Sequence, residues 1–404
     1  MIQRIPFIDK LSMALLLLAP ILGIYGNPDG WSYDTLLTLP LSFFYFLYYF
    51  SSKGSVVDSK NPLSEGLALY FIYWGVILAV FALKLPLIVI QAYLAFFLFY
   101  ATFHLSAFVK MYKLFALLCI GLFIAQEITY YVTGVRISGF LSFLPSYSGF
   151  SASDMAMINA EALRSSSFFS EPAHFAQFLL PLFAIELYYD NKRYHFVYAA
   201  LIGGTLLLLR SGNGIVGMAA ILMFAFSYFK HKSKKTKWIM MLLFVFVVAL
   251  AGFYYLNSEM GESIIGRQAE LSSHYEGGSR SGFLRVWRGF YVFDDYNVIE
   301  KIIGCPNEKV QLNHVTASGM LMVSKAELYF NAFQKILLNT GFIGVAIFVY
   351  VIVRLWRGNS ICGKAILCSL IALSFVAAIY MSFIMILHLV LAQSMKREND
   401  KIIK

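Results

Sequence analysis

The sequence predicts an all-α fold, that of a polytopic membrane protein with about twelve transmembrane helices. Of the 404 residues, 59% are hydrophobic and only 13% are charged, whereas a soluble domain has roughly 25% charged residues. The apolar residues fall in blocks of about 16 to 25, close to the ~20 that cross a bilayer as a helix. The basic residues fall in the short segments between those blocks, as in loops at a cytoplasmic membrane surface.

The predicted spans follow the apolar blocks in chain order. They cover 11–27, 35–50, 65–83, 86–107, 114–133, 172–189, 195–210, 213–229, 238–257, 340–356 and 365–393. The first block lacks a small-residue cleavage site, which indicates a retained helix rather than a signal peptide. The last block is too long for one straight span, and two short helices that meet near Ser382 would return the basic tail to the inside. One tilted helix with an external tail is the alternative.

The positive-inside rule orients these spans. With the N-terminus inside, the lysine-rich segments, including KHKSKKTK at 230–237, fall on the cytoplasmic side. Two long segments then lie outside, a predicted membrane-hugging loop at 134–171 and a larger segment at 258–339 with amphipathic helices. No boundary of a soluble domain interrupts the chain, so 1–404 is predicted to be a single transmembrane domain.

The net charge is +10, and the positions of the basic residues along the chain indicate which kind of partner they contact. Basic residues between apolar blocks favour membrane lipids as partners and argue against nucleic acid. Arginine is the commoner cation in the predicted outer segments, whereas lysine is commoner inside. Any one outer arginine could be a solvated loop charge, but together they predict an anionic ligand, because guanidinium suits bidentate binding of phosphate. These arginines are Arg136, Arg164, Arg210, Arg267, Arg280, Arg285 and Arg288.

The cysteines and the short motifs do not predict a bound metal or cofactor. Of Cys119, Cys305, Cys362 and Cys368, only Cys305 lies in a predicted outer segment, so no disulfide framework follows. The sequence lacks a glycine-rich nucleotide loop, zinc-ligand spacing and a nucleophile elbow. We therefore expect neither a metal nor a cofactor.

The first group of candidate site residues lies in NAEALRSSSFFSEPAHFAQF. Pro172 opens an apolar run and belongs at a first helical turn, so Arg164, Glu171 and His174 gather at the outer mouth of a span. Glu171 and His174 are three residues apart and share a face if the helix has already started. The alternative is that Glu171 only caps the helix N-terminus.

The second group is LLLLRSGNGIVGM, which places Arg210 between two apolar blocks with almost no loop. A guanidinium at the centre of a membrane helix costs on the order of 2.5–3.5 kcal/mol, so it normally faces a wet, functional cavity. The glycines that follow let backbone N–H groups approach an anion. The alternative is that Arg210 only extends to the membrane interface.

The third group lies in two amphipathic segments at 278–293 and 324–341. In the first, Phe283, Trp287, Phe290 and Tyr291 recur at helical spacing, which predicts an amphipathic helix at the membrane interface. The polar candidates of the two segments are Arg280, Arg285, Arg288, Glu327 and Asn331. A lone loop histidine, His314, lies between the segments and is predicted to be inert.

These motifs resemble those of the O-antigen polymerase (Wzy) and ligase superfamily. The resemblance rests on R…SSFFSEPAHFAQF, on LRSGNGIVGM, on the outer arginine- and tryptophan-bearing helix and on NAFQKILLNTGFIG. In the ligases the last motif is His-Asn, nine residues, then Gly-x-x-Gly. Here Asn331, Gly341 and Gly344 match, but Phe330 stands where the ligase has histidine, which favours a polymerase.

The resemblance implies a many-helix, GT-C-like glycosyltransferase of the bacterial inner membrane with its active site facing the periplasm. A polymerase would transfer a growing glycan from undecaprenyl pyrophosphate onto an incoming lipid-linked repeat unit, as in lipopolysaccharide or capsule synthesis. A chain-length regulator protein is an expected partner. The alternatives are an O-antigen ligase acting on lipid A-core and, third, a transporter or flippase of lipid-linked sugars.

Such a transfer needs positive charge at the departing pyrophosphate and a base at the acceptor hydroxyl. Glu171 is the predicted base, with His174 and Glu327 as the other catalytic candidates. The predicted ligands of pyrophosphate and glycan are Arg164, Arg210, Arg280, Arg285, Arg288 and Asn331.

Overall fold

A computed structural model describes residues 6–27, 30–53, 62–81, 86–146, 165–189, 195–225, 281–305, 314–315, 322–323 and 330–403. The predicted span 238–257 and the basic run 230–237 lie outside these residues.

The described residues form thirteen helices and one short antiparallel strand pair. The helices are α1 (Phe7–Leu22), α2 (Tyr33–Lys53), α3 (Pro62–Phe81), α4 (Leu87–Ala101), α5 (Leu105–Thr133), α6 (Pro172–Tyr188), α7 (His195–Leu208), α8 (Gly212–Leu222), α9 (Ser281–Asp294), α10 (Val298–Ile303), α11 (Ala332–Trp356), α12 (Ile361–Val376) and α13 (Phe383–Ile403). The strands are β1 (His314–Val315) and β2 (Met322–Val323).

Three of these helices are long and apolar enough to cross a membrane: Leu63–Val80 within α3, the whole of α5 and the whole of α11. Four shorter helices, α4, α7, α8 and α12, are also apolar. The helical fold class is therefore confirmed, and its apolar helices are typical of a membrane protein. The total of about twelve spans stays a prediction.

The boundary between the fourth and fifth predicted spans is wrong. The sequence suggested a loop near Lys110 and Lys113, but the chain breaks at 102–104 and both lysines are helical in α5. Lys113 is tolerated inside a helix bundle because its Nζ atom lies 2.8 Å from Oε1 of Glu186 on α6. Pairing of opposite charges offsets the cost of removing each from water.

The C-terminal block forms two helices, as predicted. Met381 lies between α12 and α13 with φ 57°, a left-handed conformation that interrupts the helix. Ser382 then accepts a hydrogen bond at its Oγ atom from the Met385 N–H at 3.4 Å, in the first turn of α13. A single tilted helix over 365–393 therefore does not occur.

The chain divides into two compact units. Unit 1 comprises Met1–Ile221, Ala346–Leu373 and Met381–Lys404, and unit 2 comprises Leu222–Val345 and Ser374–Tyr380.

The core of unit 1 includes a row of aromatic side chains between α5 and α6. The Tyr112 hydroxyl donates a hydrogen bond to the Phe178 carbonyl, and the two rings lie 5.0 Å apart at 69°. Phe169, just before α6, stacks on Phe175 at 5.1 Å. Edge-to-face and offset contacts of this kind add to simple burial, so the start of α6 is held firmly against α5.

The core of unit 2 is an apolar cluster shared by α9, the segment after α10 and the start of α11. Its buried members are Val292, Phe293, Tyr296, Cys305, Phe330, Leu337 and Leu338. α11 is kinked at Gly341, where φ is 59°. The backbone at Gly304 lies directly against Thr340 and Gly341, too close for a Cβ atom at either glycine. Gly341 therefore has a packing role here.

Candidate functional site

Two loops meet at one end of α5 in unit 1. The buried Gln126 side chain accepts a hydrogen bond from the Ser167 N–H at 2.9 Å and donates one to the Ile137 carbonyl at 3.0 Å. Ser167, at φ 56°, also donates from its hydroxyl to the Cys119 carbonyl at 2.7 Å. The chain after α5 and the chain before α6 are therefore both tied to Gln126, in the C-terminal half of α5.

The turn that carries Arg210 lies at this end as well. Gly214 on α8 packs against α6 so closely that a Cβ atom there would lie 3.1 Å from the Ala176 Cβ. Ala176 is in the second turn of α6, so the turn between α7 and α8 is level with the helix start. Arg210 itself has φ 54°, which is uncommon for a residue with a side chain and marks a constrained turn.

We name this region the polar end and define it by Arg136, Ser170, Glu171, His174 and Arg210. It brings together three of the predicted site residues, Glu171, His174 and Arg210. It also contains Arg136, which the sequence had placed among the outer arginines without selecting it as a ligand.

Glu171 occupies the N-cap position of α6 but does not cap the helix with its side chain. Its backbone is extended, at φ −143° and ψ 152°, and no side-chain capping hydrogen bond forms. The Glu171 side chain is exposed, and its backbone carbonyl accepts from the His174 and Phe175 N–H groups at 3.1 and 3.3 Å. The Glu171 carboxylate therefore makes no capping hydrogen bond, although its charge still lies at the N-terminus of α6.

His174 lies in the first turn of α6 and is oriented by its neighbour. Its Nδ1 atom lies 2.6 Å from the Ser170 Oγ atom, within hydrogen-bonding distance. A ring held through one nitrogen presents the other in a fixed direction. The pair of Glu171 and His174 can thus accept and pass on a proton at the mouth of the helix bundle.

Arg136 is the site residue that the sequence reasoning missed. Its side chain is only 6% exposed, its NH2 nitrogen lies 3.7 Å from Oε1 of Glu127, and its guanidinium carbon lies 4.2 Å from the centre of the Tyr130 ring. Burial lowers the pKa of Arg136, Glu127 opposes that change, and the positive charge of Arg210 adds to it. Two guanidinium groups thus act on each other at the polar end, an arrangement that favours an anion.

In unit 2, Asn331 is part of a helix cap. Its Oδ1 atom accepts from the Gln334 N–H at 2.9 Å, and Oε1 of Gln334 accepts from the Asn331 N–H at 3.2 Å. Its Nδ2 group donates to the Phe375 carbonyl at 2.9 Å. This is a reciprocal capping box at the start of α11. Both ends of the Asn331 side-chain amide are thus hydrogen-bonded within the fold, and its ligand role stays a prediction.

The other predicted residues of unit 2 divide between core and undescribed chain. Arg288 on α9 is buried, and Gly289 beside it packs closely on the Gln334 side chain. Phe330 is buried in the apolar cluster. Arg285 belongs to α9, and His314 pairs with Val323 in the strand pair. Arg164, Arg280 and Glu327 lie outside the described residues.

A buried ion pair lies elsewhere in unit 1. Glu186 on α6 has no exposed side-chain surface, and Lys113 pairs with it at 2.8 Å and lies 5.8 Å from the centre of the Tyr198 ring. These residues line a small cleft with apolar side chains of α5, α6 and α7. The sequence reasoning missed this pair because it assigned Lys113 to a loop.

Among the residues that the structure describes, no group of three or more His, Cys, Asp and Glu side chains could hold a metal ion. The polar end instead combines the exposed Glu171 carboxylate, one imidazole and two guanidinium groups, one of which, Arg136, pairs with Glu127. No protein-family model matches the chain, and no curated protein matches it.

Proposed function

We propose that the protein is a polysaccharide polymerase of the bacterial inner membrane. It transfers a glycan from undecaprenyl pyrophosphate onto a sugar hydroxyl of an incoming lipid-linked repeat unit, at the periplasmic face. The observation that carries the proposal is the polar end, where an exposed, non-capping Glu171 lies at the same bundle end as Arg136 and Arg210. A membrane protein with such a site is suited to a lipid-linked, anionic substrate.

In this proposal the two charge types have separate roles. Glu171 takes the proton of the acceptor hydroxyl as that oxygen attacks the anomeric carbon, and His174 assists the proton transfer. Arg136 and Arg210 stabilise the negative charge that grows on the departing pyrophosphate. Arg164, Arg280, Arg285 and Glu327 remain predicted contributors, and a chain-length regulator protein remains a predicted partner.

The test uses the full chain in liposomes with an undecaprenyl-pyrophosphate-linked repeat unit. Glu171→Gln keeps the shape of the side chain and removes its charge, so the rate of chain extension should fall on the order of 10²-fold or more. Binding of the lipid-linked substrate and the thermal unfolding midpoint should stay unchanged. Glu300→Gln in the capping box of α10 is the matched control and should leave the rate unchanged.

His174→Ala combined with Glu171→Gln shows whether the imidazole substitutes for the carboxylate. The double variant should be slower than Glu171→Gln alone. If the double variant extends chains at nearly the normal rate, the polar end is not the catalytic site, and Glu327 becomes the candidate base.

The same assay separates the polymerase from a ligase. A ligase would transfer the glycan to lipid A-core, whereas a polymerase requires a second lipid-linked repeat unit. The buried apolar environment of Phe330 leaves no acid–base group at the position where the ligase motif has histidine. We therefore expect no product when lipid A-core is the sole acceptor.

One observation bears on the third alternative, a transporter of lipid-linked sugars. A transporter is expected to carry charges within its spans, and Lys113–Glu186 is a buried ion pair between α5 and α6. Glu186, however, lies in the last turn of α6, near a helix end. Lys113→Gln combined with Glu186→Gln should therefore leave polymer synthesis per folded molecule intact, whereas a flippase would lose translocation of a fluorescent lipid-linked sugar.

A further inference from the structure

α10, the shortest described helix of unit 2, exposes several apolar side chains to its surroundings. Its start is secured by a capping box, in which Asn297 Oδ1 accepts from the Glu300 N–H at 2.9 Å and Glu300 Oε2 accepts from the Asn297 N–H at 3.1 Å. The exposed fractions are 73% for Val298, 64% for Ile299 and 45% for Ile302. A capped helix that exposes three large aliphatic side chains indicates an interaction surface.

The position of α10 along α11 is set by close contacts. Gly304, which ends α10, abuts the kink at Gly341, and the Cys305 N–H donates to the Leu338 carbonyl at 2.8 Å. Nearby, the Phe293 and Phe342 rings lie 5.3 Å apart at 86°. α10 therefore lies at the level of the kink, where the amphipathic start of α11 gives way to its apolar part.

The surface of α11 at this level is also apolar and exposed. Phe342 and Ile343 follow the kink directly, and both are exposed on a helix that is apolar enough to cross a membrane. The polar residues of the α10 region form a separate exposed group, in which Lys301 Nζ lies 3.4 Å from Asp294 Oδ1. The aliphatic residues of α10 thus lie at the same height along α11 as Phe342 and Ile343. In a bilayer spanned by α11, those two side chains face lipid.

We propose that α10 lies in the plane of the membrane interface, with Val298, Ile299 and Ile302 in contact with lipid acyl chains. Interfacial helices bury their apolar face about 5–10 Å into the boundary between headgroups and acyl chains. Continuity with the exposed residues of α11 is the reason that the occupant is lipid and not a second protein chain. This contact would hold α9, with Arg288, at a fixed depth. The proposal depends on membrane insertion and not on the transferase proposal.

The sequence reasoning assigned the interfacial contact to α9 instead, through Phe283, Trp287, Phe290 and Tyr291. The structure buries another part of α9, including Val292 and Phe293, against α11. Trp287 is exposed, whereas Phe290 and Tyr291 pack against the cluster. The amphipathic pattern of α9 is therefore used largely for packing within unit 2, and the outward apolar surface belongs to α10.

The test places a nitroxide label at single positions of the full chain in liposomes of stated composition, a mixture of phosphatidylethanolamine and phosphatidylglycerol. Ile299→Cys is the test variant, and Lys301→Cys on the polar side of the same helix is its control. The native thiols Cys119, Cys305 and Cys362 are buried, and the unsubstituted chain measures labelling at Cys368. Collision with oxygen, which partitions into lipid, is compared with collision with a water-soluble nickel complex.

The label at Ile299→Cys should collide mainly with oxygen, and the label at Lys301→Cys mainly with nickel. Equal access of nickel to both labels would overturn the proposal. Spin–spin broadening at position 299 that persists at high dilution in lipid would also overturn it, since a second copy would then cover the surface. Val298→Cys provides an independent reading from the same side if Ile299→Cys does not fold.

Discussion

The polar end of unit 1 and the start of α11 in unit 2 contain the same kind of sequence signal but use it differently. Each has a polar residue at the junction of a loop and an apolar helix. Glu171 is exposed and makes no side-chain cap, whereas Asn331 is buried, its side-chain amide forms two hydrogen bonds within the chain and its backbone N–H donates a third to Gln334. The first carboxylate is available for a ligand, and the second side chain is committed to the fold.

The difference shows what decides between a cap and a ligand. Buried polar groups are nearly always hydrogen-bonded, so the question is where the hydrogen bonds of a residue go. At Asn331 the Gln334 side chain completes the box, three residues later, as the capping pattern requires. At Glu171 the third residue along is His174, which pairs with Ser170 instead. The residue three positions after the junction therefore says more about whether the junction residue caps the helix than the junction residue itself does.

The two arginines of these regions give the largest expected contrast. Arg210→Gln removes a half-buried charge at the polar end, so chain extension should fall on the order of 10²-fold while the unfolding midpoint stays unchanged. Arg288→Gln alters a buried side chain of unit 2 and should instead lower the unfolding free energy by about 1–3 kcal/mol. Fluorescence of a thiol dye on heating reports unfolding, because three of the four cysteines are buried.

Arg210→Lys keeps the charge and is the control for bidentate binding. If Arg210→Gln lowers the unfolding midpoint as much as Arg288→Gln does, the two regions do not differ in the proposed way. Arg210 would then be a structural residue, and the case for an anion site at the polar end would rest on Arg136 alone.

A smaller effect is expected at the kink of α11. Gly341→Ala should destabilise the protein by about 1–3 kcal/mol, because alanine is strained at φ 59° and its Cβ atom would meet the Gly304 backbone. Gly134→Ala is the matched control, since Gly134 has φ 71° but open space around it. The difference between the two unfolding free energies measures the contact with Gly304. Equal losses would show that this contact contributes nothing.

The sequence predicted the helical class and several elements for physical reasons that are local. Apolar blocks of span length predicted the helices, and Pro172 correctly marked the start of α6. The two C-terminal helices followed from the length of the block and the charge of the tail. These features depend on hydropathy and on the geometry of single residues, which a sequence states directly.

The sequence could not predict features that depend on contacts between distant segments. Lys113 was assigned to a loop because it is a charge between two apolar blocks, and its partner, Glu186, lies on a helix distant in sequence. Arg136 can be recognised as a site residue only from tertiary contacts. Gln126 hydrogen-bonds both to the loop that contains Arg136 and to Ser167, and the packing of α8 on α6 places Arg210 in the same region. The spacing of Asn331 and Gly341 resembles a catalytic motif, but spacing alone does not show that these residues cap and kink α11.

The smallest expected effect concerns Asn331 and tests this comparison most directly. Asn331→Ala removes the acceptor for the Gln334 N–H and the donor to the Phe375 carbonyl, and loss of an N-cap costs about 0.5–2 kcal/mol. Asn331→Asp keeps the acceptor and should recover part of that loss. Turnover per folded molecule should stay unchanged in both variants, because both ends of the amide are already hydrogen-bonded within the fold. A fall in turnover of the size expected for Glu171→Gln, at an unchanged unfolding midpoint, would mean that the cap also binds substrate. The ligand role predicted for Asn331 would then hold, and the capping box would be a means of orienting a ligand rather than only of starting a helix.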